Sequence, residues 1–316
     1  MPSTDTSAFL PTAARRLCAL AASVCAAAVL AASAAAETPM WVIRDADSTI
    51  YLTGTVHMLP PELEWSGDRL DKALDDATEL WLEVPMPASM AEMQAEVAPI
   101  MLQYALSTDK PLSSRLTEEE QAQLAAALAR ADLPPGTAQG IEMMKPWVVT
   151  QMLGVAPLMS SGYDPEAGID MKLAGMAREQ GDAILGFETF EQQLQFFAGV
   201  SEEDQMTALR AALSIDPAEL ETTTEAAKTA FESWANGETA GLESFVTEWK
   251  AGSEEAFLAI PYETMVVNRN KDWAEQIDAM LDRSGVHFIA VGGGHLVGPD
   301  SVQVQLEKRG ITAERY

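Results

Sequence analysis

Four short apolar runs, set far apart among long stretches of helical periodicity, constrain this chain more than any other feature. "STIYLTG" (48–54) alternates and is rich in β-branched and aromatic residues, and "ELWLEVP" (79–85) is similar and stopped by Pro85. "DAILGFE" (182–188) and "VHFIAVGGG" (286–294) are near-continuous apolar runs of the kind found in buried strands. Helical spacing of apolar residues covers 66–78, 88–106, 117–131, 139–159, 167–180, 190–214, 217–235, 240–250 and 262–283, with Pro, Gly or Asn at most breaks. "TFEQ" (189–192) is a capping box and "LTEEE" (116–120) a similar start. A hairpin over 41–52 turning at Asp45 to Ser48, and a last edge strand in "ITAERY", complete the expected elements. The predicted fold class is α/β, with α+β as the variant: a central sheet whose strand carboxyl ends form the site, flanked by many helices, with a helical insertion or lobe. Methionines at helical spacing in "MPASMAEM" and "EMMKPWVVTQML" predict adaptable core packing.

The first 36 residues read as a cleaved export signal. Arg15 and Arg16 form the basic region, Leu17 to Ala32 the apolar region, and Ala34-Ala35-Ala36 the small-residue cleavage site before Glu37. A single domain over 37–316 and a periplasmic or secreted location follow, with membrane contact only through the signal segment. Cys18 and Cys25 both fall inside that segment, so the mature chain has no thiol for a disulfide, a nucleophile or a Cys-type zinc site. Cleavage makes the net charge of −28 one unit more negative, and a field of that sign repels nucleic acid.

The polar residues near the strand ends set the chemistry. Two of the three histidines follow a glycine by three positions just past a strand: Gly54 and His57 in "GTVH", Gly292 and His295 in "GGGH". Glu83 ends the second run and Glu188 the third. In open α/β sheets ligands bind at the carboxyl ends of strands, so four adjacent strands would gather two imidazoles and two carboxylates. Such a set suits a divalent metal without thiolate ligands. Each carboxylate also has a plainer use, Glu83 in an arginine pair and Glu188 beside a helix N-terminus. Gly54 and Gly292 to Gly294 are expected to permit backbone conformations closed to other residues and to let a substrate or metal approach the main chain. His287, inside an apolar run, reads as structural.

In order and spacing, "YLTGTVHML", "ELWLEV", the stretch from "GIDMKL" through "GFETFEQ" to "VSEEDQ", "VVNRNKDWAEQI" and "FIAVGGGHLVGPDSV" resemble the TraB/GumN family. That family includes Tiki-type metalloproteases and pheromone-shutdown proteins and is related in fold to erythromycin esterase and ChaN-like proteins. The resemblance spans essentially the whole mature chain. It implies that Gly54 with His57, and Gly292 with His295, are the two G-x-x-H motifs. Glu83 is then the carboxylate after the next strand, Glu188 the glutamate of "FET", and Arg269 with Asn270 the "RN" pair.

The reading that follows is a metal-dependent hydrolase acting on an amide or peptide bond of a peptide or small-molecule substrate. Zn or Mn would be held by His57, Glu188 and His295, with Glu83 as base and Arg269 or Asn270 steadying the oxyanion. Two alternatives stand beside it: an esterase-like enzyme without metal, with His57 as the base, and a non-catalytic binder of peptide, haem or saccharide. The signal reading predicts that the exported protein begins at or near Glu37. N-terminal sequencing checks this, and recovery of Met1 would overturn it.

Overall fold

The computed structural model describes residues 37–131, 137–251 and 260–316, so the expected export signal lies outside the described residues. Six strands form one sheet: β1 (Met40–Arg44), β2 (Ser48–Thr55), β3 (Glu79–Leu82), β4 (Ala183–Gly186), β5 (Gly285–Gly292) and β6 (Glu314–Arg315), in the order β4-β3-β5-β2-β1-β6. The four runs read from the sequence are the four parallel strands β4, β3, β5 and β2. β1 and β2 make the expected antiparallel hairpin, and β6 pairs with β1 at the edge. At the hairpin turn Asp45 Oδ1 accepts from the Ser48 amide at 2.7 Å and the Asp47 amide at 3.1 Å, a local bond that Asp makes readily.

Parallel neighbours need long crossovers, and helices supply them. α1 (Asp68–Asp75) joins β2 to β3. Between β3 and β4 run α2 (Met90–Tyr104), α3 (Glu118–Arg130), α4 (Thr137–Ile141), α5 (Pro146–Ser160) and α6 (Ile169–Gln180). After β4 come α7 (Phe190–Ala198), α8 (Glu202–Ser214), α9 (Pro217–Ala235), α10 (Ala240–Ala251) and α11 (Arg269–Met280), and α12 (Val302–Glu307) follows β5. The architecture is therefore mixed α/β, a six-stranded sheet flanked by helices.

Three of the expected helices are interrupted, each for a local reason. The pattern over 190–214 breaks between α7 and α8, where the Ser201 side chain accepts from the Asp204 amide and starts a new helix. The pattern over 139–159 restarts with Pro146 as the first residue of α5, where a missing N–H costs nothing. The pattern over 262–283 opens with a π-helical stretch, Glu263–Asn268, before α11. The capping boxes form as read, Thr189 with Gln192 and Thr117 with Glu120.

The main core packs helices on both β2 and β5, with Leu52, Phe288 and Ile289 fully buried. A second cluster around Leu124, Val149 and Leu209 ties α3, α5 and α8 into a helical lobe with an apolar centre of its own. Met144 and Met152 pack against that cluster, the gap-filling use expected of methionine, while Met143 is half exposed.

The glycines of the two G-x-x-H motifs serve close approach and not unusual dihedrals. Gly54 lies within regular β2, and Gly292 has φ −48°. The Trp234 indole, fully buried, crosses β2 and donates from Nε1 to the Gly54 carbonyl at 3.0 Å. A Cβ on Gly54 would overlap that indole and lie 2.8 Å from Gly293 Cα, so only glycine fits between two strands and a tryptophan. Gly54→Ala is expected to cost about 1–3 kcal/mol or more by overpacking. Gly175→Ala, in α6 with nothing within 4 Å of the new methyl, is expected to stabilise by about 0.5–1 kcal/mol. Urea unfolding midpoints of the two variants check both signs.

Candidate functional site

Register places the chemistry. Thr55 pairs with Gly292, Leu82 with Ala290 and Leu82 with Gly186, so β2, β5, β3 and β4 end along one edge of the sheet. The residues just beyond those ends, His57, His295, Glu83 and Glu188, therefore converge there. A Cβ on Gly292 would lie 2.9 Å from Glu83 Oε1, 3.6 Å from His295 Cδ2 and 4.0 Å from His57 Nε2, so three of the four groups face one point.

At the centre stands Arg269, the first residue of α11. Its Nε donates to Glu188 Oε1 at 2.8 Å, and Nη2 donates to Glu188 Oε2 at 2.9 Å and to Glu83 Oε2 at 2.5 Å. Nη1 donates to the Met265 carbonyl, four residues back, at 3.3 Å and meets His295 Nε2 at 3.0 Å. A guanidinium carries five N–H donors and no acceptor, so every donor is used and His295 Nε2 must accept. The cation is flanked by the rings of Trp273 at 4.6 Å and Phe196 at 5.4 Å. Trp273 also donates to Glu188 Oε1 at 3.1 Å, and Gln193 donates to both Glu83 and Glu188 at 3.0 Å.

His295 is consequently defined at both nitrogens. Asn270 Nδ2 donates to the carbonyls of Asp300 at 2.8 Å and His295 at 3.4 Å, which leaves its Oδ1 to face His295 Nδ1 at 2.6 Å. The imidazole is neutral, protonated on Nδ1 and accepting on Nε2. Burial and the adjacent Arg269 push its pKa down to about 3, against the pull of Glu83. Glu83 itself is buried, which favours the neutral acid. Arg269, the His57 imidazolium and the Gly292 amide, at 2.7 Å, overcome this and hold its carboxyl well below the usual range.

His57 differs in every respect. The segment after β2 is clamped to the start of α6: the Ile169 amide donates to the Val56 carbonyl at 3.0 Å, and Leu59 and Asp164 pair in both directions. Gly168 allows this, because a Cβ there would overlap the His57 carbonyl. The clamp sets Asp170 Oδ1, buried and otherwise unpartnered, 3.4 Å from His57 Nδ1. The His57 side chain is 61% accessible, and its Nε2 lies toward Gly292, 4.0 Å from where a Cβ on that glycine would sit. The surrounding protein disfavours the charged ring, but Asp170 and, more weakly, Glu83 raise its pKa to about 9.

All six side chains expected from the sequence thus meet at one place, and Asp170, Gln193 and Trp273 join them. Asp170 sits in "GID", where the only sequence signal is a carboxylate in the first turn of a helix. The expected oxyanion role of Arg269 or Asn270 needs a free N–H, and the N–H groups of both side chains are engaged. His287, at the other end of β5, is buried against Glu79 with Nδ1 3.0 Å from Oε2, as a structural histidine.

The expected metal can be tested against this donor set. An ion held by His57, Glu188 and His295 needs lone pairs free at about 2.0–2.2 Å. His295 Nε2 and both Glu188 oxygens are already turned to one guanidinium, and His295 Nδ1 to Asn270. Among the described residues, no group of three or more His, Cys, Asp or Glu has the geometry to hold an ion. As arranged, these residues do not fit a mononuclear metal centre.

With this geometry in place, comparison with known proteins gives a clear result. The TraB/PrgY/gumN family model matches residues 39–315. The chain belongs to this family. An uncharacterized protein of Treponema pallidum (strain Nichols) is 25% identical over 284 residues, covering 86% of this chain and 81% of that protein. No solved structure matches the chain. Membership fixes the frame in which the two G-x-x-H motifs are read, while the chemistry is argued from the site itself.

The contrast between the histidines gives a direct test. Asp170→Asn removes the anion that favours the His57 imidazolium and leaves its desolvation, so the His57 pKa is expected to fall from about 9 to near or below its ordinary 6.5. NMR titration of the histidine ring resonances measures the shift.

Proposed function

We propose that this family member is an exported hydrolase of amide or ester bonds, in which His57, oriented by Asp170, activates water. The observation that carries the reading is the pairing of an accessible imidazole with a buried carboxylate 3.4 Å from its Nδ1. With the Asp170 carboxylate facing Nδ1 and favouring a proton there, Nε2 takes a proton from water as the oxygen attacks the substrate carbonyl carbon. The same nitrogen returns that proton to the departing amine or alkoxide. Glu83, Glu188, Arg269 and His295 form a fixed, hydrogen-bonded network beside the base. Export rests on the Arg15-Arg16 pair, the apolar run and the alanine cleavage site. Among the described residues no helix is long and apolar enough to cross a membrane.

A second reading has its own support. Below pH 9 the His57 ring is mainly imidazolium, an accessible cation that suits the anionic group of a ligand bound without turnover. Recovery of the ligand intact after long incubation separates binder from enzyme.

For the enzyme, the sign of the pH dependence follows from His57, since only the unprotonated ring is a base. Hydrolysis of a reporter peptide or ester, found by library screening, should rise about tenfold per pH unit on the acid side and level off above pH 9. His57→Ala should lower the rate by roughly 10²–10⁴ with the fold retained. His287→Ala should instead cost about 1–3 kcal/mol of stability and leave the pH profile in place. A profile flat between pH 6 and 9 would remove His57 from the role.

A further inference from the structure

We infer that Arg269 is the resident cation of this site and that His295, the histidine of the second G-x-x-H motif, is its positioning acceptor and not a metal ligand. The deciding feature is the complete use of both groups. The five N–H donors of the guanidinium end on Glu188 twice, Glu83, the Met265 carbonyl and His295 Nε2. The two ring nitrogens of His295 end on Arg269 and on Asn270 Oδ1. Neither group has a bonding direction left for an ion.

Displacing the guanidinium would be costly from every side. Its side chain is 7% exposed, it lies between Trp273 and Phe196, and its position is set by the π-helical stretch that supplies the Met265 carbonyl. Extra helical turns of this kind cluster at functional sites. The arginine performs two tasks of a metal: it neutralises a buried carboxylate pair and holds both carboxylates in fixed directions. It lacks the third, since a guanidinium with no free face cannot bind and acidify water. Water activation then falls to the one imidazole in the cluster with a free nitrogen, His57. The inference deepens the reading above and rests on it only for that last step. It is tested without turnover.

The mature protein, purified from the exported fraction, is dialysed against Mn²⁺ or Zn²⁺ and then against buffer. Bound metal is measured by elemental analysis, and a long-range ¹H–¹⁵N spectrum of the histidine rings is recorded at pH 7 before and after. The expected results are far less than one ion per chain and a His295 ring with the neutral Nδ1–H pattern, unchanged by either metal. His295→Gln assigns that ring by its loss. If that variant does not fold, His57→Gln and His287→Gln assign it by elimination. One ion per chain lost in both His57→Ala and His295→Gln, or a His295 ring protonated on Nε2 or moved by metal, would overturn the inference. A failed substrate screen with the Nδ1–H pattern intact would instead count against hydrolysis and leave Arg269 as the site's cation.

Discussion

The bidentate pairing of Arg269 with Glu188, extended by a third carboxylate bond to Glu83, is the interaction on which the rest of this site depends. Two carboxylates at the ends of neighbouring strands, β3 and β4, would repel each other in a buried place without it. One planar cation satisfies both and stacks on Trp273, and it also determines which nitrogen of His295 carries the proton. A buried ion pair need not stabilise a fold relative to apolar packing. Here its evident product is direction: three strand ends and one helix are locked to a common point, and the tautomer of a histidine is fixed by the lock.

Around that centre the two histidines of an apparently repeated motif have become opposites. His295 is buried, neutral and bonded at both nitrogens, whereas His57 is accessible and basic, with one nitrogen facing a carboxylate 3.4 Å away. The difference comes from the carboxylate or amide each Nδ1 faces, Asp170 for His57 and Asn270 for His295. One motif at two parallel strand ends thus yields an accessible group and a buried scaffold group from the same residue type.

Much of this was legible in the sequence because strand ends are local signals. The runs "STIYLTG", "ELWLEVP", "DAILGFE" and "VHFIAVGGG" fixed where the sheet edge lies, and the parallel order then brought the six residues together. Their partnership was not legible. That Arg269 takes both glutamates depends on the rotation of α11, which a π-helical stretch resets, and periodicity alone does not register such a shift. Asp170 was hidden for another reason: its role exists only because Gly168 lets α6 press against the His57 backbone, a contact between positions 111 residues apart. The glycines were singled out correctly for a reason the structure revises, since Trp234 against Gly54 and the Glu83 carboxylate against Gly292, and not dihedral freedom, require them.

The strand order has a consequence for how the molecule comes into being. β5 lies between β2 and β3, yet it is made after nearly the whole chain. As the polypeptide emerges, the β1–β2 hairpin and the β3–β4 pair precede the strand that joins them, each with an apolar edge awaiting it. Open edges of that kind are templates for pairing with other chains. Contacts so distant along the chain also form slowly. The interval before β5 arrives is therefore the vulnerable period of synthesis, and chaperones that shield strand edges would act then.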